Sequence, residues 1–122
     1  MNFLRSEFLI TGASFIFMFI FGFTLSKSGK PYNGLLFNIH KLIGLGAGIY
    51  LVRLVYLTNK ATPFTKAQLI AITASIIFFL GLVVTGGLIS AEITVPDFVN
   101  IIHKILPYLA VISTGITLYL IL

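Results

Sequence analysis

The stretch Leu35-Leu-Phe-Asn-Ile-His-Lys-Leu-Ile-Gly-Leu-Gly-Ala-Gly-Ile-Tyr-Leu-Val-Arg-Leu-Val-Tyr-Leu57 decides the fold. Its charged or titrating bases are His40, Lys41 and Arg53, and it contains no acid. As a helix it would be about 35 Å long at 1.5 Å per residue. That exceeds a hydrocarbon core of about 30 Å, which takes roughly 20 apolar residues to cross. Working outward, three more runs meet the same test: about Phe8–Leu25, Leu69–Ile89 and Phe98–Leu122. Short polar connectors separate them, and each carries a proline (Pro31, Pro63, Pro96) suited to the first turn of the next helix. The pattern predicts an all-α protein: a transmembrane antiparallel four-helix bundle, residues 1–122 forming one integral membrane domain.

Composition agrees. Of 122 residues, 58% are apolar and 9% charged, against roughly 45–50% and 25% in soluble domains. A chain this short cannot hide so much apolar surface from water within itself, which excludes a soluble enzyme. The absence of cysteine excludes disulfides, zinc–thiolate sites and iron–sulfur clusters. The first run is longer than the 7–15 residues of a signal-peptide core, and no Ala-x-Ala site follows it, so it reads as a retained helix. The net charge of +5 comes from eight scattered bases, which reads as interface anchoring and not as a nucleic-acid surface. Arg5, Arg53, Lys60 and Lys66 fall on one side of the membrane, and Lys27, Lys30, Lys41 and Lys104 on the other. That even count leaves orientation open.

The two halves repeat. Phe19-Ile-Phe-Gly-Phe-Thr-Leu-Ser26 aligns with Val83-Val-Thr-Gly-Gly-Leu-Ile-Ser90 at an offset of 64, pairing Gly22 with Gly86. Ile39-His-Lys-Leu-Ile43 aligns with Ile102-His-Lys-Ile-Leu106 at an offset of 63. Each half is one helical hairpin entering the membrane in the same direction, so the two would be related by a pseudo-twofold axis along the membrane normal.

That register makes His40 and His103, the two histidines of the chain, equivalent. They follow Pro31 and Pro96 by nine and seven residues, roughly 10–14 Å along a helix. Titratable residues inside a membrane are costly and mark functional sites. A zinc site wants three or four protein ligands, whereas haem iron needs two axial imidazoles on facing helices. Small residues beside them suit a flat macrocycle. On the second helix His40, Gly44, Ala47, Gly48 and Leu51 share a face; on the fourth, His103, Pro107, Ala110, Val111 and Thr114 do. Pro107 cannot bond the His103 carbonyl and would kink the helix. Gly22 and Gly86 would relieve crowding at the ring edges, and Lys41 and Lys104 could meet haem propionates. The competing reading gives the same residues plainer work: small-xxx-small helix packing, hydrogen-bonding histidines and snorkelling lysines. It describes a haem-free four-helix membrane protein, either a small transporter or channel or a packing subunit.

His40-Lys-Leu-Ile-Gly-Leu-Gly-Ala-Gly-Ile-Tyr-Leu-Val-Arg-Leu-Val55, followed by Thr62-Pro63, resembles the second helix of bacterial cytochrome b561 proteins. The resemblance covers about 25 residues of that helix; elsewhere it rests on the four-helix plan and on His103. It implies a b-type cytochrome of the bacterial plasma membrane that exchanges electrons with a quinone or a redox partner protein. The expectation is an electron-transfer protein or oxidoreductase subunit; whether it works alone, as a homo-oligomer or within a larger complex stays open. Such proteins usually carry two haems. Here Phe8–Leu25 and Leu109–Leu122 contain no histidine, so the expectation is one haem b held by His40 and His103. If Lys41 and Lys104 meet its propionates, the N-terminus is cytoplasmic and the haem lies near the outer face. No Ser-His-Asp triad or phosphate loop is recognisable, and Glu7, Arg53 and the tyrosines read as interface or packing residues.

Overall fold

A computed structural model of the chain describes residues 5–91 and 94–122. It contains four helices: α1 Ser6–Ser28, α2 Gly34–Ala61, α3 Lys66–Ser90 and α4 Asp97–Ile121, with no strand among the described residues. All four are long and apolar enough to cross a membrane, as the hydropathy pattern predicts, which makes this an integral membrane protein. Three helices run past their apolar runs at both ends, and α4 starts one residue early and stops at Ile121. Backbone hydrogen bonding does not stop where lipid contact stops; in α2 it carries through Thr58-Asn-Lys-Ala61.

Local chemistry sets the ends. Gly29 terminates α1 with φ 68° while its N–H bonds the Leu25 carbonyl, a positive-φ conformation that glycine takes without a Cβ penalty. The Asn33 side chain accepts from the amides of Leu35 and Leu36 at 3.0 and 3.1 Å and starts α2. Thr65 and Gln68 form a capping box at α3, the Thr65 amide donating to Gln68 Oε1 at 2.8 Å. The prolines do not occupy the first helical positions. Pro31 and Pro63 lie three residues ahead of α2 and α3, and Pro96 is the N-cap of α4. Asn33 and Thr65 supply oxygen acceptors that proline lacks, so they cap instead.

Counted from the helix starts, the two histidines occupy the same position. His40 is six residues after Gly34, and His103 six residues after Asp97. Each imidazole therefore sits about 9 Å along its helix from the first residue. The unequal spacing from the prolines was loop, not helix.

The chain divides into two compact units, Met1–Pro63 and Phe64–Leu122, each one helical hairpin. In the first, α1 packs on α2; in the second, α3 packs on α4. Burial is inverted relative to a soluble protein. Large apolar side chains such as Ile16, Phe23, Leu35 and Val52 point outward, as a lipid-facing surface requires. Among the described residues the buried set includes five hydroxyl side chains: Thr11, Thr85, Ser113, Thr114 and Thr117. Lipid tails are as apolar as leucine, so helix association in a membrane relies on close packing and interhelical hydrogen bonds. Small hydroxyl residues provide both.

Candidate functional site

Each hairpin places its histidine against a glycine. A Cβ built on Gly22 would stand 3.0 Å from His40 Cε1, with Nδ1 and Nε2 at 3.6 and 3.8 Å. A Cβ built on Gly86 would stand 3.0 Å from His103 Cε1, with both ring nitrogens at 3.7 Å. The contacts agree to within 0.2 Å although the flanking sequences differ. In both hairpins the ring edge lies over a backbone from which the side chain has been deleted. Gly22 and Gly86 are thus brought to the histidines, each within its own unit, as the repeat pairs them.

The polar surroundings are not equivalent. His103 Nδ1 lies 2.8 Å from Thr85 Oγ1, and that hydroxyl is also 2.7 Å from the Gly81 carbonyl and 3.3 Å from that of Leu82. In the first hairpin the aligned residue is Phe21, and His40 Nδ1 is buried without a hydrogen-bond partner. A second pair shows the same asymmetry. Ser75 Oγ meets Thr117 Oγ1 at 3.0 Å between α3 and α4. Its counterpart Thr11 has a buried, unpartnered hydroxyl, and the counterpart of Thr117 is Leu54. At both levels the first hairpin keeps one polar member of a pair and has an apolar residue in place of the other. These unsatisfied atoms cost the first hairpin stability, about 1–3 kcal/mol each by general experience.

The remaining predicted site residues are placed as follows. Gly44 approaches α1: a Cβ there would lie 3.4 Å from Met18 Sδ. Ala47 and Ala110, equivalent in the repeat, are both buried, at 8% and 2% exposure. Pro107 lies inside α4, four residues after His103, and the helix continues through it. Thr114 is buried, whereas Val111 is exposed. Lys41 is exposed with its ammonium 4.9 Å from the centre of the Phe37 ring, one turn back. Lys104 is exposed. Among the described residues no three His, Cys, Asp or Glu side chains gather as a metal-binding group.

Three residues were missed from the sequence. Thr85 carried a visible signal: a hydroxyl in an apolar run, one position before the glycine that meets the histidine. Ser75 and Thr117 carried none, because a partner on another helix has no fixed spacing in the chain.

Compared with family models, curated proteins and solved structures, the chain matches none of them. The site therefore rests on its own geometry.

Proposed function

We propose that the protein is a small membrane cytochrome b that binds one haem b through His40 and His103 and passes electrons to or from a quinone or a redox partner protein. The observation that carries the reading is the duplicated seat of the imidazoles: two histidines at the same depth in their helices, each over a glycine at 3.0 Å. A chain with so few titratable groups has little reason to repeat such a seat unless both rings are used. The donor set fits haem, whose iron takes two axial imidazoles, better than zinc, which takes three or four protein ligands. When bound, haem supplies a one-electron couple. The protein's share is to hold two neutral imidazoles in fixed orientation in surroundings of low polarity, where burial and hydrogen bonding set the potential. In this reading Lys41 and Lys104 are candidate partners of the propionates, and the glycines give the rings room.

A second reading is favoured by a specific contact. Thr85 and His103 make an interhelical hydrogen bond of 2.8 Å, and Gly44 against Met18 is small-residue packing. A haem-free transporter, channel or packing subunit would use both. One spectrum separates the two. Protein purified from haem-replete cells is expected to show a Soret band, with α and β bands that sharpen on dithionite reduction. The H40A/H103A variant is expected to lose them. A colourless preparation overturns the haem reading in favour of the second, and full haem retention in that variant overturns His40 and His103 as its ligands.

A further inference from the structure

Thr85 has one hydroxyl hydrogen and several neighbours that compete for it. The Gly81 carbonyl at 2.7 Å, one helical turn back, can only accept. With that hydrogen on the carbonyl, Thr85 Oγ1 faces His103 Nδ1 at 2.8 Å with lone pairs, and Nδ1 is then the donor. A neutral imidazole protonated at Nδ1 carries its lone pair on Nε2. The chain of groups is therefore His103 Nδ1–H to Thr85 Oγ1–H to the Gly81 carbonyl. His40 has no such hydroxyl partner, because Phe21 stands at the position aligned with the threonine.

We infer that Thr85 is a positioning residue for His103: by accepting from Nδ1–H it holds the ring in one tautomer and one orientation, with Nε2 as the nitrogen that offers its lone pair to a ligand. His103 thereby has a hydroxyl partner that His40 lacks, since Phe21 stands at the aligned position. An oriented second nitrogen is the usual support of a metal-bound histidine, and losing such a partner typically weakens metal affinity 10–100-fold. The consequence for ligand binding rests on the haem reading above; the tautomer does not.

The test uses the full-length protein in detergent micelles or nanodiscs, labelled with 15N-histidine, before and after haem is added. Without haem, long-range 1H–15N correlation is expected to show His103 as the Nδ1–H form in wild type and in T85S, which keeps the hydroxyl. In T85V the His103 nitrogens are expected to shift to a tautomer mixture while those of His40 stay unchanged. A His103 protonated at Nε2, or a T85V spectrum identical to wild type, overturns the inference. So does loss of the signature in T85S, provided that variant keeps wild-type helicity. With haem added, T85V is expected to bind it about tenfold more weakly and T85S close to wild type. If wild type takes up haem and T85V binds it equally well, Thr85 does not support the ligand. If wild type takes up none, the haem reading fails while the tautomer is still decided by the nitrogen spectra.

Discussion

A methyl group at Gly22 would stand 3.0 Å from His40 Cε1, and one at Gly86 the same distance from His103 Cε1. Since real Cβ contacts at that distance are rare, each ring would have to give way by a few tenths of an ångström. G22A and G86A should therefore each cost about 1–3 kcal/mol, in the range of overpacked sites. Each should also perturb the NMR signals of its own histidine and leave the other unmoved. Gly12 and Gly46 are the controls, because a Cβ there meets nothing within 4 Å. G12A and G46A should be neutral or stabilising by up to about 1 kcal/mol, the ordinary helical preference for alanine. Unfolding titrations in mixed micelles would rank all four. The glycine–histidine register was legible in the sequence because both residues recur at nearly constant offsets. Which ring atom meets the glycine was not, since that depends on how closely the two helices approach.

Between elements, three interhelical hydrogen bonds join α3 to α4. Gln68 Nε2 donates to the Leu120 carbonyl at 2.9 Å, Ser75 meets Thr117 at 3.0 Å, and Thr85 meets His103 at 2.8 Å. They occur near both ends and in the middle of the α3–α4 pair. In the α1–α2 pair, Thr11 and His40 retain polar atoms without partners. Repeat-equivalent substitutions should then act with opposite sign. S75A should destabilise by about 0.6 kcal/mol, and by no more than about 1.7, the range of interhelical hydrogen bonds in membranes. T11V should stabilise by about 1 kcal/mol, because it removes an unsatisfied hydroxyl and keeps its shape. The same unfolding assay decides the sign. At the head of α2, N33A should cost about 1 kcal/mol by exposing the amides of Leu35 and Leu36, read as lost helicity or stability.

At the scale of the whole molecule, each hairpin carries its own helix–helix contacts and presents large apolar side chains outward. Both halves should therefore enter a membrane independently. Expressed separately as residues 1–63 and 64–122, each should remain in the membrane pellet after alkaline carbonate extraction and give a helical circular dichroism spectrum. A half released by carbonate would mean that its helices are not self-sufficient spans. The two products need not be equally robust. The second half, with its hydrogen-bonded polar pairs, should resist detergent unfolding better than the first.

By itself the amino-acid sequence determined four membrane-spanning helices, their pairing into hairpins and the equivalence of His40 with His103. These are local or periodic properties: apolar length, connector length and an offset along one chain. Only the tertiary structure decided that Pro31, Pro63 and Pro96 stand outside the helices, that Gly44 faces Met18, and that His103 has a partner in Thr85 while His40 Nδ1 has none. The reason is physical. A hydrogen bond between two helices forms only when their depth, rotation and separation agree to a few tenths of an ångström, and no spacing within one segment encodes that agreement. Two copies of one pattern have therefore kept the same imidazole seat over glycine and acquired different hydrogen bonding around it.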